Sequence, residues 1–134
     1  MSRILVIDDE EDVRSIVKHH LVKANYEVVE AKDGEQAIQK INEGENPLKI
    51  DAAICDIRMP KINGVEAVSY FRKEYPSVPV IVITGFPDTS LAVSLLKKGV
   101  KDYIVKPVEK EKLLAAVKKA VLEKAQSGGG GFMP

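Results

Sequence analysis

The chain has 134 residues, the size of one domain around one core. It is 45% hydrophobic and 30% charged, the composition of a soluble globular protein, and a fold of this length buries enough surface to need no disulfide or metal staple. Lys plus Arg and Asp plus Glu both number 20, so no net charge draws the domain onto nucleic acid or anionic lipid. The single cysteine, Cys55, cannot form an internal disulfide; with no signal-like N-terminus and no long apolar stretch, this predicts a cytoplasmic protein with no membrane association.

In chain order, the first element is the apolar run Ile4-Leu5-Val6-Ile7, a short strand that ends in Asp8-Asp9. Val13, Ile16, Val17, Leu21 and Ala24 then fall on one stripe of a helix. Glu10, Glu11 and Asp12 read as acidic residues favouring its N-terminus, and His19 and His20 as solvent-facing residues late in it. Residues 26–31 alternate in part, as an edge strand does. Asp33-Gly34 opens a second helix with Ala37, Ile38 and Ile41 inward, and residues 42–47 read as a loop. Ala52-Ala53-Ile54-Cys55 is a buried strand that ends at Asp56. Cys55 should point away from Asp56 into the core, as inert packing.

Val65, Val68 and Phe71 mark a third helix, followed by a loop over residues 75–79. Val80-Ile81-Val82-Ile83 is a strand ending at Thr84. Leu91, Ala92, Leu95 and Leu96 give a fourth helix stopped by Gly99, and Tyr103-Ile104-Val105 a strand ending at Lys106. Leu113, Val117, Ala120 and Val121 give the fifth helix. The domain is expected over residues 1–124, with 125–134, rich in glycine, as a flexible linker or tail.

Strand and helix therefore alternate five times, which predicts a parallel sheet with helices on both faces. Functional residues in such a sheet gather at the carboxyl ends of the strands. Those ends carry Asp8, Asp9, Asp56, Thr84 and Lys106. Three carboxylates within a few ångströms repel by about 4 kcal/mol per pair at an effective dielectric constant of about 20. A cation among them relieves this, and an all-oxygen set suits a hard ion such as Mg²⁺, which keeps waters and favours a phosphate partner. With the ammonium of Lys106 and the hydroxyl of Thr84, the set suits a phosphoryl group received by a carboxylate nucleophile.

The segments ILVIDDEEDVR, CDIRMPKINGVE, VIVITGF and GVKDYIVKP occur in this order, and over about residues 3–123 the chain resembles the receiver domain of two-component response regulators. The resemblance implies a flavodoxin-like α/β three-layer sandwich, with a five-stranded parallel sheet of order 2-1-3-4-5 and five helices. It implies that Asp56 is the phospho-acceptor, that Asp9 binds Mg²⁺ directly and Asp8 through water, and that the backbone carbonyl of Arg58 is the third protein ligand. Thr84 would hydrogen-bond the phosphoryl group, Lys106 would ion-pair with it, Tyr103 would be the switch aromatic, and Lys106-Pro107 would be cis. Arg58, Gly85 and Phe86 would govern access and the lifetime of the modification, with Gly85 leaving room for the donor. The partner implied is a sensor histidine kinase or phosphotransfer protein. A homodimer could use the fourth helix, fifth strand and fifth helix, and direct nucleic-acid binding is not expected.

Such a protein catalyses only its own aspartyl phosphorylation and dephosphorylation and is not an enzyme acting on an external substrate. A dehalogenase-like phosphatase would need a second Asp where Arg58 stands, and a dinucleotide fold would need G-x-G-x-x-G where Asp8-Asp9-Glu10-Glu11 stands. The strongest rival is a phosphorylation-independent receiver acting as a pure interaction module, a class that usually lacks pocket residues present here.

Overall fold

The computed structural model describes residues 1–57 and 64–130, with side chains to Gln126. Five parallel strands form one sheet in the order β2-β1-β3-β4-β5. They are β1 (Arg3–Ile7), β2 (Glu27–Ala31), β3 (Ile50–Asp56), β4 (Val80–Thr84) and β5 (Asp102–Val105). The helices are α1 (Glu11–Lys23), α2 (Gly34–Ile41), α3 (Asn46–Lys49), α4 (Gly64–Glu74), α5 (Thr89–Lys97) and α6 (Lys110–Gly130).

The apolar runs of the sequence resolve into two faces because successive side chains of a strand point to opposite sides. Ile4, Val6, Ala52, Ile54, Ile81 and Ile83 pack with Val17 and Leu21 of α1 and with Leu113, Val117 and Ala120 of α6. Leu5, Ile7, Ala53, Cys55, Val80 and Val82 pack on the other face with Ala37 and Ile41 of α2, Ala67, Val68 and Phe71 of α4, and Leu95 of α5. The sheet is the middle of three layers, and its two edges are β2 and β5.

Several expectations are corrected. The described residues hold six helices rather than five: the extra one, α3, is a single turn with Pro47 at its start, where proline's fixed φ suits the first helical positions. Ile16 and Leu96, placed on inward stripes, are exposed; Val17 and Leu21, and Leu95, carry the burial instead. Val105 is exposed because β5 is an edge strand rather than one covered on both faces. The helix α6 runs to Gly130. Gly99 does follow α5 with φ +98°, a conformation that side chains rarely adopt.

Candidate functional site

The strand register builds the site. Ile7 pairs with Cys55, so Asp8 leaves β1 beside Asp56. Asp56 pairs with Ile83, which puts Thr84 one residue further along β4. Thr84 pairs with Val105, and Lys106 follows, its N–H donating to the carbonyl of Thr84 at 2.8 Å. Four strand ends thus place the carboxylates of Asp8 and Asp56, a hydroxyl and an ammonium along one edge of the sheet.

Lys106 is the electrostatic centre. Its Nζ lies 3.0 Å from Asp56 Oδ2, 3.1 Å from Asp8 Oδ2 and 2.6 Å from Glu10 Oε1. It donates hydrogen bonds to Asp56 and Glu10. Burial works to lower its proton affinity, but the hydrogen bonds it donates to Glu10 and Asp56 and the charges of Asp8 and Asp56 outweigh this and hold it well above the ordinary lysine value. The ammonium is therefore permanently charged.

Asp8 is fully buried. Its Oδ1 accepts from the Glu10 N–H at 2.8 Å, and its backbone carbonyl accepts from Arg14 Nη1 at 2.8 Å. Its Oδ2 has no hydrogen-bond partner among the described residues, although Lys106 is near. Burial pushes the Asp8 carboxyl up to about 6, against the lowering hydrogen bond from the Glu10 N–H; the charge of Asp56 adds to the rise and that of Lys106 opposes it. The cation that faces this buried oxygen, the Lys106 ammonium at 3.1 Å, is shared with Asp56 and Glu10, and a further cation would relieve the crowding. Carboxylate oxygens of Asp8, Asp9, Glu10 and Asp56 all lie within 4.8 Å of one another, an all-oxygen set that fits a hard divalent cation.

The other predicted residues take varied places. Asp9 is exposed, at the rim of this cluster. Thr84 is buried, and its hydroxyl is occupied with its own turn: it accepts from the Phe86 N–H at 3.1 Å and lies 3.4 Å from the Phe86 carbonyl. Gly85 is exposed, and a Cβ there would meet Lys106 Cδ at 3.7 Å, an ordinary contact. Phe86 is exposed beside it. Tyr103 packs against the core under α5 and its hydroxyl accepts from the Asp88 N–H at 3.3 Å, where Asp88 caps α5 by accepting from the Leu91 N–H. The Lys106-Pro107 bond is cis. Arg58 lies outside the described residues.

Cys55 sits on the face of the sheet covered by α2, α4 and α5, and burial, with the charges of Asp56 and Asp8, pushes its thiol far up, so it is a neutral packing group.

Two residues were missed. Glu10 was read as helix-terminus charge, yet its side chain joins Lys106, 96 residues away, a pairing with no trace in local sequence. Gly64 was only a letter in a motif. A Cβ there would lie 2.1 Å from Ile57 Cα and 2.4 Å from the Asp56 carbonyl oxygen, so α4 begins in backbone contact with the end of β3. The Gly64 N–H donates to the Ile57 carbonyl at 3.2 Å.

Comparison with known proteins agrees with this geometry. The family model described as response regulator receiver domain matches residues 4–118. The chemotaxis protein CheY of Listeria monocytogenes is 35% identical over 121 residues, covering 90% of this chain and 98% of that protein. The uncharacterized transcriptional regulatory protein YrkP of Bacillus subtilis is 38% identical over 115 residues, 86% of this chain, which spans 47% of the length of that regulator. The crystal structure of a response regulator receiver domain protein from Clostridium thermocellum superposes with a TM-score of 0.87 at 32% identity, over 93% of this chain and 98% of that one.

Proposed function

We propose a phosphoryl-accepting switch, on the premise that this chain belongs to the response regulator receiver domain family of two-component systems. In this reading Asp56 takes a phosphoryl group from a histidine kinase or phosphotransfer protein. One carboxylate oxygen of Asp56 forms the new P–O bond as the P–N bond of a phosphohistidine breaks, and the imidazole leaves with the electron pair. The observation that carries the reading is the triple contact of Lys106 with Asp8, Glu10 and Asp56 at one sheet edge. Among the described residues one cation faces three carboxylates, so further positive charge favours the entry of another anion.

Asp8, Asp9 and Asp56, with the backbone carbonyl of Arg58, would hold a Mg²⁺ ion, which supplies charge neutralisation between acceptor and entering phosphoryl group. Lys106 pairs with a phosphoryl oxygen and orients it. Thr84 gives up its turn contact with Phe86 to donate its hydroxyl. Tyr103, tied through its own hydroxyl to the cap of α5, then responds, so that the surface of α5, β5 and α6 changes on modification. A second copy of the chain, or an output partner, would engage that face. Gly85 leaves the donor room to approach, Phe86 flanks the route of hydrolytic water, and Phe86 and Arg58 set the lifetime. Residues 1–124 form the receiver unit in this reading, and 125–134, which include the last residues of α6, a linker or tail. No helix among the described residues is long and apolar enough to cross a membrane, which agrees with action in the cytoplasm.

Brief treatment with acetyl phosphate, followed by intact mass spectrometry, tests the assignment. The expected result is one added phosphoryl group in the presence of Mg²⁺, none after chelation, and none on Asp56→Asn. Equal labelling of Asp56→Asn would overturn it. Amide NMR shifts with beryllofluoride, a phosphoryl mimic, test the switch: residues 88–103 should shift in the native chain and much less in Thr84→Ala.

A further inference from the structure

Glu10 stands at the N-cap of α1, but its side chain makes no capping hydrogen bond. It reaches instead across the mouth of the site to Lys106, and 2.6 Å is the shortest of the three approaches to that ammonium. An ammonium has three N–H donors and no acceptor. Two donors are used on Glu10 and Asp56, and the third direction is crowded by Asp8. In the unmodified protein, Lys106 is therefore already surrounded by negative oxygens.

We propose that Glu10 is a positioning residue that holds Lys106 in the unmodified site and competes with the phosphoryl group for it. The inference rests on the reading of Asp56 as phospho-acceptor. A phosphoryl oxygen can reach the ammonium only if one carboxylate withdraws, and burial decides which. The Glu10 side chain is 59% exposed, whereas those of Asp8 and Asp56 are 0% and 3% exposed. An exposed carboxylate returns to water at little cost, while a buried one would be left with uncompensated charge. Glu10 thus favours the unmodified state, and every modification event displaces it. Its oxygens also fall in the acidic cluster, so the competing role is a direct metal ligand. The two roles predict opposite signs on removal.

The experiment titrates the full chain with beryllofluoride at saturating Mg²⁺, and separately with Mg²⁺ alone, following amide shifts of residues 84–88. In Glu10→Gln, beryllofluoride should bind about three- to fivefold tighter, the size of one exposed ion pair, and Mg²⁺ alone should bind within about twofold of the native value. Glu10→Asp keeps the charge but shortens the reach, so it should show the same gain; a general repulsion of anions by Glu10 would leave it unchanged. The gain should vanish when Glu10→Gln is combined with Lys106→Met, because the effect runs through that ammonium. Unchanged or weaker beryllofluoride binding in Glu10→Gln, no gain in Glu10→Asp, or about a tenfold loss of Mg²⁺ affinity would each overturn the proposal. A native chain that shows no beryllofluoride response would remove the acceptor reading and this inference together. A native response with no gain in the Glu10 variants would remove this inference alone.

Discussion

Strand β3 carries an aspartate at each end, and each meets a lysine at hydrogen-bond distance. Near its start, Asp51 Oδ1 lies 3.1 Å from Lys124 Nζ of α6, one charge against one, with both side chains about a quarter exposed. At its finish, Asp56 shares Lys106 with Asp8 and Glu10, among the described residues one positive charge against three negative, with two of the acids buried. The first arrangement is complete and asks for nothing more. Among the described residues the second holds more negative than positive charge, and its geometry is held by four strand ends that cannot move apart to relieve the repulsion. Distance alone does not separate a structural ion pair from a site; charge balance under burial does.

Charge removal at the two ends should therefore act with opposite sign. Burial raises the Asp8 carboxyl from its ordinary 3.8 to about 6 in the folded, metal-free chain. A raised carboxyl stabilises fully below the lower value, and its contribution is lost as pH rises through the upper one. At neutral pH, Asp8→Asn should accordingly raise the metal-free stability by about 2–3 kcal/mol, measured by urea unfolding. At about pH 4 the gain should disappear. A variant no more stable than the native chain at neutral pH would mean that the buried end bears no excess charge.

Cation binding gives the next effect in size. Mg²⁺ should raise the melting temperature of the native chain, and at a free concentration of about ten times its Kd the stabilisation should be about 1.4 kcal/mol. Asp8→Asn should lose most of this response, whereas Asp51→Asn should keep it. An Asp51 variant that lost the response as well would erase the distinction between the two ends.

Breaking the balanced pair should cost little. Lys124→Met is expected to lower stability by at most about 1 kcal/mol, and more at low salt than at high salt. Smallest of all is deletion of residues 127–134. Glycine is worth about 1 kcal/mol less than alanine in a helix interior, so the last turn of α6 adds little, and the unfolding midpoint should stay unchanged.

The sheet and its polar edge were legible because strands buried on both faces write themselves as short apolar runs, and whatever follows each run lies at the edge. That logic gave Asp8, Asp56, Thr84 and Lys106 without any contact being known. It failed where a position depends on neighbours distant in the chain. Ile16 and Leu96 fit a helical stripe, but whether a flank position is covered depends on where the next helix packs. Val105 belonged to an apolar run and proved exposed because β5 has no neighbour on its outer side. The Pro47 turn was hidden because a single helical turn has no periodicity to detect. Glu10 escaped since an acid at a helix start has a sufficient local explanation, and nothing within the first 20 residues points to Lys106.

Gly64 has a consequence for reading variants of this protein. It offers no side chain, carries no charge and lies outside the set of residues with chemistry, yet any substituent larger than hydrogen would be driven into the backbone of Asp56 and Ile57. Backbone in direct contact has no deformable side chain to absorb the intrusion, and the displaced atoms belong to Asp56, the proposed acceptor, and to its neighbour. A change at position 64 would therefore register as loss of activity in a protein whose every reactive group is intact. At position 85, also glycine and nearer in sequence to Thr84, a methyl group would meet Lys106 Cδ at 3.7 Å, an ordinary contact, and the fold should tolerate it. The two glycines look alike in the sequence and differ in how much variation each permits.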